Sequence, residues 1–400
     1  MPRDAMAGVY LGDRRVGTLG YRDGNTWFGY EDTAADHPVL GQAFEIDPDH
    51  RRTASGRVPE WFANLLPEPG SGLRELIARE LGVKRLHDFV LLLRLGADLP
   101  GAVRVVLEED PGEIPELPDD TTCAHDHPLR FSLAGVQPKF SMRYEGKGLV
   151  LPVSGQGGDW IVKLPDRRFP QVPENEYTML TWAGLSGIDV PERRLVTGGE
   201  LGGLPEGLIN DEEHALAVRR FDRRDGGRVR VHQEDFAQVR EASVDLKYAN
   251  ATYGGLGRIV RVLSPQDVDE YLRRLVAIVV MGNLDAHLKN WTLTYPDGRA
   301  ARLSPAYDLV AVAAYPEFKE DRLAFGLGGG QLARLITEDH FSRLAATIGL
   351  DPDHALSVVT SMIKRMADTW SEVRATGMVP RFVVDAIHRR LTGLPLMRGL

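Results

Sequence analysis

Three oxygen-bearing side chains near the middle of the C-terminal half have a definite chemistry. Asp285 and, five residues on, Asn290 lie in Gly282-Asn283-Leu284-Asp285-Ala286-His287-Leu288-Lys289-Asn290, and Asp308 follows in Tyr307-Asp308-Leu309. Phosphoryl transfer asks little covalent chemistry of a protein and much placement of charge. In that chemistry Asp285 orients and deprotonates an acceptor hydroxyl, while Asn290 and Asp308 offer hard oxygen ligands to Mg²⁺ bridging the phosphates of a nucleotide. His287 stands two residues after Asp285, where many kinases carry a lysine, and an imidazole or its cation there would lie near the moving phosphoryl group. The same residues also suit an ordinary loop in which Asp285 caps the next segment and Asn290 closes a turn, so the motif alone leaves both readings open.

Other residues bear on the choice. Lys163 sits inside an apolar strand pattern, Trp160-Ile161-Val162-Lys163. A buried ammonium there needs an anion: in a kinase, the ATP phosphates, with Glu176 of the following helix as pairing carboxylate. A lysine snorkelling from an edge strand is the alternative. The order Lys163, Glu176, Asp285, Asn290, Asp308 is more specific than any one member. The preceding loop, Phe131-Ser132-Leu133-Ala134-Gly135-Val136-Gln137-Pro138-Lys139, has small residues such as Gly135 that let backbone amides approach phosphate oxygens. It matches neither G-x-x-x-x-G-K-[ST] nor G-x-G-x-x-G. The Gly326-Leu327-Gly328-Gly329-Gly330 run reads as a flexible loop.

These groups need a scaffold, and 400 residues provide for two or three domains or lobes. With 43% hydrophobic and 26% charged residues the chain has the composition of a folded soluble protein. A net charge of −9 gives no overall attraction to nucleic acid or anionic lipid. The basic run Arg219-Arg220-Phe221-Asp222-Arg223-Arg224 reads as a solvated strand end. The single cysteine, Cys123, excludes an internal disulfide and suits a reducing cytoplasm. With His125 and His127 it forms a C-x-H-x-H cluster that lacks the second ligand pair of a structural zinc site. The N-terminus has no apolar core of a signal peptide, and Leu275 to Met281 falls far short of the ~20 apolar residues of a spanning helix. A cytoplasmic protein without membrane contact is expected.

Alternating apolar residues from Val9 to about Phe44 predict short antiparallel strands, and Leu73 to Leu81 and Asp88 to Leu95 predict helices before a strand at Ala102 to Leu107. An acidic, proline-bearing linker follows. Strand patterns then run through Lys139 to Tyr144, Trp160 to Leu164, Pro191 to Val196 and Ala215 to Phe221, with a helix over Glu174 to Ala183. Beyond Arg224 the pattern is mainly helical, at Asp267 to Val280, Thr337 to Ile348, His354 to Ala375 and Arg381 to Leu391. The expected organisation is an N-terminal subdomain (1–107), a linker (108–128), a β-rich lobe (129–225) and a helical lobe (226–400). The fold class is α+β, a bilobal kinase-like fold with an extra N-terminal β/α subdomain.

The motifs resemble those of the HipA-like serine/threonine protein kinases, toxins of bacterial toxin–antitoxin systems. The resemblance rests on Ser132 to Lys139, Ile161-Val162-Lys163-Leu164-Pro165, Glu174-Asn175-Glu176-Tyr177, Ala217 to Arg223, Gln233-Glu234-Asp235, Gly282 to Asn290 and Leu303 to Leu309, and on Trp61 to Pro67 in the N-terminal part. It implies that Asp285 is the catalytic aspartate, that Asn290 and Asp308 hold Mg²⁺ and that Lys163 contacts ATP phosphates. It further implies that Arg219 to Phe221 form the hinge along which adenine lies, and that Ser132 is autophosphorylated, expelling the phosphate-binding loop. Pro138 stands where the family commonly has an acidic residue, and Arg219 where a glutamate is frequent. The implied partners are a helix-turn-helix antitoxin of the HipB type, DNA only through that antitoxin, and a protein substrate such as an aminoacyl-tRNA synthetase. Two rival readings are a small-molecule kinase of the aminoglycoside or choline type and an inactive scaffold acting with a DNA-binding repressor.

Overall fold

The computed structural model describes residues 4–31, 36–83, 86–108, 139–146, 148–151 and 157–398. The Cys123–His127 cluster and the loop bearing Ser132, Gly135 and Pro138 lie outside the described residues.

Period-two alternation pairs β1 (Asp4–Leu11), β2 (Arg14–Arg22) and β3 (Asn25–Tyr30) as an antiparallel meander. β4 (Arg52–Ser55) and β5 (Val103–Leu107) complete the sheet in the order β4-β3-β2-β1-β5. The strand reading up to Phe44 is corrected at its end: Gln42–Ile46 is a helix, α1, and one turn of it delivers the Phe44 ring to Phe28 and Trp61 at 5.2 and 5.5 Å. Three further helices, α2 (Glu60–Ala63), α3 (Gly72–Glu80) and α4 (Asp88–Leu95), complete this unit.

The second sheet contains β6 (Lys139–Glu145), β7 (Gly148–Val150), β8 (Trp160–Lys163), β9 (Arg193–Thr197), β10 (Leu201–Gly202) and β11 (His214–Arg219). Its order is β10-β7-β6-β8-β11-β9, with α5 (Val172–Leu185) joining β8 to β9. Both faces are covered, which is why β11 is apolar throughout Ala215 to Val218. Ala215 and Ala217 belong to one apolar cluster, shared with Val162, Phe140 and the N-terminal unit. Leu216 and Val218 belong to the other, shared with the helical lobe. The same alternation turns Lys163, paired with Leu216, away from Val162 and toward the space between the lobes.

The basic run after β11 is not a solvated strand end. Arg220 and Arg223 are 2% and 3% exposed and fold back onto Asp98 and Asp222. Asp222 accepts from Arg220 Nε at 2.9 Å, Arg223 Nη1 at 2.8 Å and Gly101 N at 2.8 Å, while Asp98 accepts from Arg223 Nη2 at 2.8 Å and Ser141 Oγ at 2.9 Å. Burial opposes the Asp222 charge, but the two guanidiniums outweigh it and hold the carboxyl well below its ordinary range. This cluster fastens the N-terminal unit to the second sheet.

After a short hairpin, β12 (Arg223–Arg224) with β13 (Val229–Arg230), comes a small sheet absent from the sequence reading. It consists of β14 (His232–Asp235), β15 (Thr292–Tyr295) and β16 (Arg302–Leu303). The rest is mainly helical: α6 (Phe236–Val239), α7 (Tyr253–Leu263), α8 (Val268–Met281), α9 (Glu338–Ile348), α10 (Pro352–Ala375) and α11 (Arg381–Gly393). Between α8 and α9 stands a hairpin, β17 (Arg322–Leu327) with β18 (Gly330–Leu332), so the Gly326 to Gly330 run is not a flexible loop but the end of that hairpin, packed so closely that a Cβ on Gly328 would meet His340 O at 1.9 Å. None of the described helices is long and apolar enough to cross a membrane.

Glu234 on β14 is fully buried against the N-terminal unit, accepting from Gln42 N at 2.9 Å, Trp61 Nε1 at 3.3 Å and Tyr295 Oη at 2.5 Å. Burial, only partly offset by these donors, pushes its carboxyl up to about 7. The folded chain therefore holds this proton longer than an unfolded glutamate, whose pKa is about 4.3. Stability from the group is complete below the unfolded value and is lost as pH rises through about 7. Measured by urea unfolding, wild-type stability relative to Glu234→Gln is expected to decline by about 4 kcal/mol across that window. A flat difference would contradict it.

Candidate active site

Between the two sheet-bearing units and the helical lobe lies a cleft of about 470 Å³, and Lys163 reaches into its back. The side chain is 5% exposed, donates to Glu176 Oε1 of α5 at 2.5 Å and forms an ion pair with Asp308. Lys139, opposite Lys163 on β6, brings a second ammonium to 3.4 Å from Asp308 Oδ2. Burial alone would lower the Lys163 ammonium; Asp308 and Glu176 outweigh it and raise its pKa. Burial likewise opposes the Asp308 charge, and Lys139 and Lys163 hold that carboxyl well below its ordinary range. The edge-strand, snorkelling reading of Lys163 is thereby excluded.

The floor is set by how α8 ends. Eleven of its fourteen residues are buried, so its axis is fixed in the core. Its last carbonyls are capped by the buried Arg390 of α11, donating to Val279 O at 2.7 Å and Val280 O at 3.1 Å. Gly282 then reverses the chain at φ +71, where a Cβ would meet Ala313 Cβ at 2.7 Å. From that turn Asn283 ties two segments together: its Oδ1 accepts from Asp285 N and its Nδ2 donates to Asp308 O, both at 3.2 Å. Asn290 Nδ2 donates to Asp285 O at 3.0 Å and closes the loop. Asp308 takes φ +53, a left-handed conformation aspartate tolerates. Asn175 of α5 holds the chain just beyond it, accepting from Ala311 N at 3.0 Å.

Asp285 faces the open cleft and accepts a hydrogen bond from the Tyr248 hydroxyl. Loss of water around it raises its carboxyl above the ordinary value. His287 behaves differently from a cation. Burial, then the neighbouring Lys247, push its imidazole down to about 3, so it is neutral near pH 7. Its Nδ1 has no partner among the described residues.

Ile161, Val218 and the Arg219–Phe221 turn line the other wall, with the Phe221 ring 5.8 Å from that of Tyr307. The Arg219 and Arg220 amides donate to the Glu192 and Asp159 carbonyls at 2.8 and 2.9 Å. The Arg219 guanidinium points away to Asp159 at 3.3 Å and lies over Trp160. One cleft thus gathers Lys163, Glu176, Arg219, Phe221, Asp285, His287, Asn290 and Asp308. Ser132 and Gly135 lie outside the described residues. Sequence reading gave no role to Asn283 and Asn175, although both stood inside quoted motifs as amides beside functional acids. Lys139 closed a quoted motif without a role of its own, and Tyr248 carried no local signal.

Asn290 and Asp308 offer an amide and a carboxylate oxygen, the hard donors that suit Mg²⁺ held by few protein ligands. Among the described residues no group of three His, Cys, Asp or Glu side chains could hold a metal. A metal here would complete its shell with water and phosphate oxygens, which fits a nucleotide site. The arrangement can bind a polyphosphate against ammonium groups and present a carboxylate to a hydroxyl.

The HipA N-terminal domain family matches residues 7–106, and the HipA-like C-terminal domain family matches residues 131–370. Y4dM of Sinorhizobium fredii, which carries a provisional kinase name, is 38% identical over 411 residues, covering 100% of this chain and 99% of that protein. The serine/threonine-protein kinase toxin HipA of Shewanella oneidensis is 27% identical over 412 residues, covering 91% of this chain and 88% of that protein. Among solved structures, the Shewanella oneidensis toxin–antitoxin complex of HipA, HipB and operator DNA contains a chain of like fold. Its TM-score is 0.74 at 22% identity, over 98% of both chains.

Proposed function

This chain belongs to the HipA-like family, and from that premise we propose that it is an ATP- and Mg²⁺-dependent serine/threonine protein kinase. The observation that carries the reading is the buried Lys163 bridging Glu176 and Asp308, facing Asp285 and Asn290 across one cleft. An ion bridge so desolvated is costly unless its charges have work to do, and phosphate oxygens are the ligand that suits two ammonium groups beside a metal-binding carboxylate.

Lys163 and Lys139 pair with phosphate oxygens, and Glu176 keeps Lys163 in place. Asn290 and Asp308 hold Mg²⁺, which when bound neutralises charge on the phosphates. Asp285 accepts the proton of the acceptor hydroxyl and aims its oxygen. His287, neutral, helps shape the floor beneath the transferred group. Adenine lies along Arg219 to Phe221; with the Arg219 and Arg220 amides already bonded, the Phe221 N–H is the donor of that turn left to read it, beside the turn's carbonyls and the Phe221 ring.

Incubation of the pure protein with labelled ATP, alone and with cell extract, tests this. Label is expected in protein, not in small molecules, and its absence from both fractions would sink the kinase reading. Mg·ATP should raise the melting temperature, and Asp308→Ala should lose that rise.

The finer readings rest on the family. The substrate is a translation component such as an aminoacyl-tRNA synthetase, the compartment is the cytoplasm, and a HipB-type antitoxin restrains the enzyme. A chain of net charge −9 meets DNA only through such a basic partner. The relative from Shewanella was solved with HipB and operator DNA, which supports that mode. Ser132 is the site of inactivating autophosphorylation, since a phosphate there adds roughly −1.5 to −2 charge beside a bound triphosphate. After ATP incubation, mass spectrometry is expected to find phosphoserine at 132 with activity falling in step. A fully active enzyme with Ser132 unmodified would remove this switch.

A further inference from the structure

Tyr248 donates a hydrogen bond to Asp285 Oδ1, on the carboxylate to which the acceptor hydroxyl was assigned above. Tyr248 keeps 47% of its surface exposed, so burial does not force the two together. The contact is instead held by neighbours from two parts of the molecule. Lys247 Nζ lies 2.9 and 3.0 Å from the Glu68 oxygens, on the loop between α2 and α3 of the N-terminal unit. Leu288 N donates to Lys247 O at 3.3 Å, tying the same residue to the loop that bears Asp285. The Tyr248 ring meets His287 edge-on, with centroids 5.1 Å apart and planes at 84°. Arg57 of the N-terminal unit adds a hydrogen bond to Ser243 Oγ at 3.3 Å and an ion pair to Asp245 at 3.8 Å.

We propose that the Tyr248 hydroxyl occupies the acceptor's position on Asp285, and that the N-terminal unit holds it there through Glu68 and Lys247. The inference rests on the kinase reading and extends it to the acceptor side. A serine or threonine hydroxyl must displace the phenol, and until it does no water can take that place on Oδ1. The acceptor able to do so is a folded protein that engages both the 243–251 segment and the N-terminal unit, since a small hydroxyl compound reaches only the cleft. Tyr248 is thus a specificity-determining residue, a placeholder that suppresses idle ATP hydrolysis.

The test uses the full chain with Mg·ATP and no protein acceptor, so that water is the acceptor and ADP release is the readout. Tyr248→Phe keeps the ring and removes the hydroxyl. It is expected to raise ADP release roughly 10-fold at unchanged KM for ATP, the effect of losing one hydrogen bond to a charged group. Glu68→Gln, which loosens the tether only, should give a smaller rise. Unchanged or slower release from Tyr248→Phe would overturn the proposal. Phosphotyrosine at 248 in the wild type would do so too, because Tyr248 would then be an acceptor itself. Without nucleotide, urea unfolding of Tyr248→Phe, Asp285→Asn and the double variant should be non-additive, and strict additivity would remove the contact. If Mg·ATP raises the melting temperature of no variant, the kinase reading falls and the placeholder with it; binding with unaltered ADP release sinks the placeholder alone.

Discussion

Replacing Asp285 with alanine is expected to lower phosphoryl transfer at least ~100-fold, the usual contribution of a positioned general base. The fold should survive. Asp285 faces the open cleft, and the bonds that shape its loop run through its backbone: its N–H to Asn283 Oδ1 at 3.2 Å and its carbonyl from Asn290 Nδ2 at 3.0 Å. The side chain gives up one hydrogen bond, from Tyr248. No cavity opens, and the loss of that one bond should cost no more than about 1.5 kcal/mol. Single-turnover transfer at saturating Mg·ATP, alongside urea unfolding, separates the two quantities. A folded variant with near-normal transfer would remove Asp285 from the chemistry, and an unfolded one would make its role structural.

The largest stability effect is expected from Asp222→Ala. That carboxylate is 4% exposed and takes three side-chain hydrogen bonds from Arg220 and Arg223 and one from the Gly101 amide. Without it two buried guanidiniums face the single carboxylate of Asp98, an uncompensated positive charge in the core. Removing one partner of a buried ion cluster costs about 3–5 kcal/mol. The exposed pair of Glu192 with Arg194 is the control, and Glu192→Ala should change stability by no more than about 0.5 kcal/mol. Because Asp222 directly follows the Arg219–Phe221 turn, nucleotide affinity should fall with stability. Calorimetry of unfolding and of ATP binding reads both. A loss under about 1 kcal/mol would mean that the arginines find water or other partners.

What the sequence determined by itself was local. Period-two and period-3.6 patterns located β6, β8, β11, α5 and α8 to α11, because each buries one face or both against a neighbour. The Asp285 to Asn290 spacing carried a chemical expectation, since a short loop brings residues five apart within reach of one ligand. Local pattern failed where distant packing decides conformation. Phe44 looked like the end of a strand run, yet rings at Phe28 and Trp61 made a helical turn the better burial. The Arg219 to Arg224 run looked solvated, and only Asp98, more than a hundred residues earlier, turned it into a buried cluster. Lys163 could have snorkelled, and its state was settled by Asp308, 145 residues away. His287 could have been a cation, and burial beside Lys247 made it neutral. Tyr248 had no motif at all and acquired meaning from Asp285 and the Glu68 tether. Backbone preference and hydrophobic period are properties of neighbours in sequence, whereas charge state and partner choice depend on what burial brings together, and that is fixed only when the whole chain has packed.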